Sequence, residues 1–295
     1  MIKKTFAALA ALGVLVMGSP AFAYTPKVLR IGFAPWDSPT SIQAIAEDAS
    51  RILSRQLGMP VEPEVTTDYT GVVEAMRSGK IDMAFFPPAA YVRAAKIANA
   101  QVILKSIYDG HSAYYSAIIT RTDSGIRSLQ QLKGRTLALV DPTSTSGAIF
   151  PEMMLLKAGV NPQRDLHVFY AGGHDAVVLA VLNRRVAAGA CYTNDPAGRD
   201  SAWTQKTVVP NPADRKKIRI LAVSPPIPSD NIAVRRGLDP KLVARIQNIF
   251  LGLSRTAAGR AELKRVYEVD GFAKAKSSDY APVVEAFERV GLPIN

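Results

Sequence analysis

The chain has 295 residues, 48% of them hydrophobic, and sets 36 lysines and arginines against 25 aspartates and glutamates for a formal charge of +11. Its basic runs, Arg184-Arg185, Arg215-Lys216-Lys217 and Arg235-Arg236, are short and dispersed. That argues against nucleic acid as a partner and leaves a field that attracts small anions or solvates the surface. A single cysteine, Cys191, excludes an internal disulfide, and with three scattered histidines it gives no metal-ligand spacing, so neither metal nor cofactor is expected.

Lys3 and Lys4, the apolar run from Phe6 to Met17 and then Ala21-Phe22-Ala23 form the pattern of a secretory leader over residues 1–23. Losing Lys3 and Lys4 with it would lower the charge from +11 to +9. The apolar run is well short of the roughly 20 residues that span a bilayer, and no later one is longer. An exported, periplasmic product beginning near Tyr24 is expected, with no membrane insertion.

Beyond the leader, short apolar strands alternate with segments of helical period, the pattern of an α/β fold. The strands are expected at Val28 to Ala34, Ile81 to Phe86, Val102 to Ile107, Tyr114 to Thr120, Thr136 to Val140 and Ile218 to Val223. Ile42, Ala46, Ala49, Leu53 and Leu57 recur at three and four, as do Leu242, Ile246, Ile249 and Leu253, which predicts two amphipathic helices.

A weak repeat runs through these elements at a constant offset of 105 residues. Leu29 to Ala34 falls on Gly134 to Leu139, Ser38-Pro39-Thr40-Ser41 on Thr143-Ser144-Thr145-Ser146, and Val61 to Val65 on Leu166 to Tyr170. Val72 to Ala75 falls on Val177 to Ala180. Two βαβ lobes of like topology follow, 24–120 and 121–225, with 226–295 returning to the first. Ligands of open α/β sheets sit beyond the carboxyl ends of the strands, so a cleft between the lobes is the expected site.

Asp141-Pro142-Thr143-Ser144-Thr145-Ser146-Gly147 lies between a strand and a helix, where unpaired N–H groups and up to four hydroxyls meet; that suits an oxyanion. Gly172-Gly173-His174-Asp175 makes a second such junction, and the offset sets His174 opposite Tyr69. Trp36, Tyr69, Tyr91, Tyr114 and Tyr115 are candidates to line or close a pocket. With no GxSxG elbow, Walker A loop or dinucleotide GxGxxG, and no evident base for Ser144 or Ser146, catalysis is not expected.

These segments, with Phe86-Pro87-Pro88-Ala89-Ala90-Tyr91-Val92, Pro225-Pro226-Ile227-Pro228-Ser229-Asp230 and Asp270-Gly271-Phe272, resemble the PhnD-type phosphate, phosphite and phosphonate substrate-binding proteins of ABC transporters. The resemblance covers nearly the whole mature chain. It implies a type II periplasmic-binding-protein fold, two lobes joined by two crossover strands, which closes on a phosphorus oxyanion and presents it, as a monomer, to an ABC permease. It implies that Ser144, Thr145, Ser146 and His174 hold phosphoryl oxygens from the second lobe, that Tyr69 and Tyr114 do so from the first, and that Asp230 accepts a ligand proton. Tyr91 is a further candidate. Asn194 stands where aminophosphonate-binding members place a glutamate, which weighs against 2-aminoethylphosphonate. An alternative keeps the cleft for sensing an oxyanion such as arsenite, with Cys191 supplying a thiol and a membrane signalling protein as the partner.

Overall fold

A computed structural model describes residues 23–294, so the expected leader, Ala23 apart, lies outside the described residues. The chain builds two six-stranded sheets. In the first, β1 (Leu29–Phe33) is parallel to β2 (Val61–Val65) and β3 (Met83–Phe86), with α1 (Pro39–Leu57) and α2 (Tyr69–Arg77) as the crossovers. Every residue of β1 except Arg30 is buried, as befits a strand covered on both faces. Ser38 caps α1 by accepting from the Ser41 N–H, Pro39 opens it, and Gly58 ends it at φ 64°, a left-handed turn that glycine enters at little cost. The repeat of Ile42, Ala46, Ala49, Leu53 and Leu57 is the buried face of this helix, and fully burying an aliphatic side chain of this size contributes about 1.5–3 kcal/mol.

After α3 (Pro88–Ile97) and β4 (Gln101–Ile107) the chain crosses to the second sheet through β5 (Ala113–Arg121). Next come β6 (Thr136–Leu139), a π-helical turn (Thr145–Ile149) running into α4 (Phe150–Lys157), α5 (Pro162–Asp165) and β7 (His167–Tyr170). The sheet is finished by α6 (His174–Leu182), β8 (Ala188–Thr193), α7 (Pro212–Arg215), β9 (Ile218–Val223) and β10 (Ile227–Pro228). The return places β11 (Asn231–Val234) between β3 and β4, followed by α8 (Pro240–Leu253), α9 (Ala257–Tyr267), β12 (Gly271–Lys274) against β4, and α10 (Ala281–Val290).

The repeat is visible in the topology. As β1 lies between parallel β2 and β3, so β6 lies between parallel β7 and β8, and α2 and α6 begin 105 residues apart. One expectation is corrected. The strand carrying Tyr114, counted with the first lobe, pairs with β8, β9 and β10 of the second sheet, because the chain crosses over at Tyr108–His111 before the strand begins.

The two units are in contact. One buried cluster joins Ala34, Tyr69 and Phe86 to Val140, Ile149, Phe150 and Val177, so the apolar interior is continuous from one sheet to the other. No helix among the described residues is long and apolar enough to cross a membrane.

Candidate functional site

A cavity of about 470 Å³ opens where the carboxyl ends of β1, β3, β6 and β8 approach one another. The turn after β6 supplies its inner wall. Ser144 accepts from the Gly147 N–H at 3.2 Å, so its own proton is free to be donated. Thr145 accepts from the Ala89 N–H at 2.9 Å, across the cleft from the start of α3, and Ser146 is fixed through its carbonyl, which accepts from the Ser116 hydroxyl at 2.7 Å. The π turn draws all three hydroxyl-bearing residues to the cavity and buries them to 2% exposure or less. Gly147 makes this possible. A Cβ on it would lie 2.4 Å from Val140, so no larger residue lets the turn sit on β6.

His174 opens α6 and lines the same cavity at 6% exposure. Its backbone N–H donates to the Trp36 carbonyl at 3.2 Å, a second bond across the cleft, and its ring meets Tyr192 edge-on with centroids 5.1 Å apart. Burial pushes the imidazole pKa down to about 3, so it is neutral at pH 7, and Nδ1 has no hydrogen-bond partner. A buried polar atom left unsatisfied costs about 1–3 kcal/mol, a cost that an oxyanion paired with the protonated nitrogen would remove.

Tyr69, at the start of α2, faces the Ser144 hydroxyl, and Tyr114 faces Ser146 and Thr145. Burial raises both phenols well above their ordinary range, which keeps them protonated as donors. Asp230 lies opposite, after β10. It is open to the cavity but enclosed by protein, and burial, only partly offset by the 3.2 Å hydrogen bond from Tyr108, pushes its pKa up to about 7. No lysine or arginine lines this inner end; Lys264 is the one cationic side chain on the cavity wall, and it belongs to the outer end with Glu268. An anion is therefore met by neutral hydroxyl and imidazole donors and by one carboxyl that either accepts or shares a proton.

Of the nine residues considered for the site on the family resemblance, seven thus line the cavity: Tyr69, Tyr114, Ser144, Thr145, Ser146, His174 and Asp230; of the other aromatic candidates Trp36 lines it and Tyr115 does not. Asn194 lies on the wall as well, but its amide donates to Asp200 at 2.9 Å and so positions a carboxylate the sequence pattern did not single out. Tyr91 is corrected: it is outside the cavity wall, in the core, with its hydroxyl donating to Ser277 at 3.0 Å and its ring edge-on to Tyr280. Thr143 also turns aside, bonded to Asp141 at 2.7 Å, so three hydroxyls converge and not four. Cys191 is fully buried in β8 and off the wall, and burial holds its thiol protonated, which removes the support for a thiol ligand to arsenite. Missed from the sequence were Tyr108, Tyr192, Asp37, Asp200 and Glu268, isolated residues whose meeting depends on the crossovers.

Residues 31–280 match the model of a family described as ABC transporter, phosphonate, periplasmic substrate-binding protein. The chain is 28% identical to the phosphonates-binding periplasmic protein of Escherichia coli over 84% of its own length and 73% of that protein. It is 29% identical to the phosphate-import protein PhnD of Mycolicibacterium smegmatis over 76% and 71% of the two chains. Among solved structures it is similar to the methylphosphonate complex of PhnD1 from Prochlorococcus marinus, with a TM-score of 0.78, 21% identity, and 90% and 99% of the two chains covered.

Proposed function

The chain belongs to the family of periplasmic substrate-binding proteins of phosphonate ABC transporters and has their type II fold, and from that premise we propose that it binds a protonated phosphorus oxyanion at the inner end of its cleft. The observation that carries this is that Ser144, Thr145, Ser146, Tyr69, Tyr114 and His174 line one cavity together with the buried carboxyl of Asp230. Six neutral donors suit an anion that must be released again, because no full cationic charge holds it.

Asp230 gives the site its selectivity. A ligand with a P–OH donates a proton to this carboxylate, whereas sulfate at neutral pH has none to give and meets repulsion. Donors come from both sides, so the closed form makes contacts the open form cannot, and ligand shifts the hinge toward closure. In this reading the protein is a non-catalytic monomer of the periplasm that hands its ligand to an ABC permease. Ser144 and Thr145 accept from backbone N–H groups, and among the described residues no carboxylate or imidazole is hydrogen-bonded to the hydroxyl of Ser144, Thr145 or Ser146, which supports binding without turnover.

Calorimetry at pH 7 with methylphosphonate, phosphite, phosphate and sulfate tests the proposal. Saturable binding of at least one phosphorus ligand, with sulfate at least about a hundredfold weaker, is the expected result; a hundredfold is about 2.7 kcal/mol. Sulfate bound as tightly as the best phosphorus ligand would refute the role given to Asp230.

A further inference from the structure

Asp230 sits where the chain returns from β10 of the second sheet to β11 of the first, and the outward crossing, from β4 to β5, runs beside it. Backbone bonds tie the two crossings together. The Ser106 N–H donates to the Asp230 carbonyl at 2.8 Å, and the Ser229 N–H donates to the Ser112 carbonyl at 3.2 Å. Between these ties the outward crossing makes a tight turn. Tyr108 and His111 exchange backbone bonds of 2.8 and 2.9 Å, and Asp109 and Gly110 between them take φ of 48° and 78°. The turn sets Tyr108 on the cavity wall with its hydroxyl donating to Asp230 Oδ2 at 3.2 Å.

Four phenols lie close enough to feel the Asp230 charge: Tyr69, Tyr108, Tyr114 and Tyr280. Three of them have other partners. Tyr69 faces Ser144, Tyr114 faces Ser146 and Thr145, and Tyr280 donates to the Ser229 carbonyl at 3.0 Å. Among the described residues Tyr108 is the one phenol hydrogen-bonded to the carboxyl. Burial keeps it protonated, and Ser106 faces its oxygen, which leaves the phenol proton for Asp230. No cation shares this task. Lys105 of β4 is engaged by Asp279 at 2.9 Å, and His174, across the cavity, is neutral at pH 7. Asp37 and Asp141 face Tyr69, and neither acts on Asp230 directly.

A carboxyl enclosed by protein and without a cation keeps its own proton unless hydrogen bonds favour the ionised form. Once protonated, Asp230 would carry no charge to repel sulfate, and the preference for a ligand that brings its own proton would be lost. The Tyr108 hydroxyl opposes this, and by taking Oδ2 it leaves Oδ1 for the guest. We propose that Tyr108 is a positioning residue of the oxyanion site, which holds Asp230 as an acceptor from the neighbouring crossing and thereby sets the discrimination between protonated and fully ionised oxyanions. The assignment rests on the role given to Asp230, and the test separates the two.

Sulfate is the probe, because its own charge does not change near neutral pH and its affinity therefore reports the protein's groups alone. Displacement calorimetry on the full mature chain, from about pH 5 to about pH 9, measures sulfate against the tightest of methylphosphonate, phosphite and phosphate. In the wild type, sulfate affinity is expected to fall as pH rises through about 7, where Asp230 ionises. In Tyr108→Phe, which keeps the ring, the fall is expected about one pH unit higher, so that sulfate binds about fivefold more tightly than to the wild type at pH 8. Tyr280→Phe removes a phenol near Asp230 that is bonded elsewhere, and its profile is expected to follow the wild type. Asp37 and Glu268 lie on the same wall and act on all the profiles alike, and Tyr108→Phe is expected to add no shift in an Asp230→Asn background. An unshifted profile in Tyr108→Phe, or an equal shift in Tyr280→Phe, overturns the role of Tyr108 and leaves the oxyanion site standing. Wild-type sulfate affinity that ignores pH overturns the role of Asp230 and that of Tyr108 with it. Failure of all three phosphorus ligands to bind overturns the site itself.

Discussion

In the proposed function Asp230 sets ligand choice against stability. Its carboxyl titrates near 7 in the folded chain against an ordinary value of 3.8, so the folded state holds the proton more tightly. The resulting stabilisation is fully present below pH 4 and is lost as pH rises through about 7. Asp230→Asn is therefore expected to raise the urea-unfolding free energy of the ligand-free protein by about 1–3 kcal/mol or more at pH 8, less at pH 5, and to change it little at pH 4 and below. The same variant is expected to lose its preference for phosphorus ligands over sulfate. Removing single donors acts on binding: Ser144→Ala and His174→Ala should each weaken the phosphorus ligand by about 1–3 kcal/mol, measured by calorimetry, the scale of a hydrogen bond to a charged group. Unchanged affinity in both would put the anion elsewhere. At this scale the sequence is most readable where chemistry is concentrated, as in Ser144-Thr145-Ser146 and Gly173-His174. Tyr91 and Asn194 mark its limit. A tyrosine beside a helix start looks the same whether its ring turns inward or outward, and nothing near Asn194 in the chain announces that it serves to position Asp200.

Between β6 and α4 the chain makes a π turn and not an immediate α-helix, which keeps Thr145 and Ser146 on the cavity wall. Gly147 controls this element. Gly147→Ala would place a methyl group 2.4 Å from Val140 and 2.8 Å from the Ser144 hydroxyl. Displacing the turn is expected to cost about 1–3 kcal/mol of stability, seen in denaturant melts, and to abolish ligand binding even though no ligand contact is removed. Wild-type affinity in that variant would contradict the account of the turn. The elements were legible largely through the offset of 105 residues, which aligns Tyr69–Arg77 with His174–Leu182. β5 was misplaced for a physical reason. Its largely buried apolar run reads as a strand in either sheet, and partner choice is set by the crossover at Tyr108–His111, which the repeat does not contain. The two-residue β10 and the four-residue β11 are too short to show a period.

Contacts spanning the cleft join the halves at the site, among them the Ala89 N–H to Thr145, the His174 N–H to the Trp36 carbonyl, and the shared apolar cluster behind them. Ligand closure should therefore be felt at Trp36. Of the two tryptophans, Trp36 lines the cavity, while Trp203 is 5% exposed in a core of the second unit. Adding phosphorus ligand is expected to change the intrinsic emission, with the change lost in Trp36→Phe and kept in Trp203→Phe. The opposite pattern would mean that the cleft is not where binding is sensed. Cys191, fully buried within β8, has a practical counterpart. Because the single native thiol is shielded, a maleimide dye pair attached to two newly introduced surface cysteines, one on each half, would label without background. Energy transfer between the dyes would then turn this molecule into an optical gauge of ligand concentration.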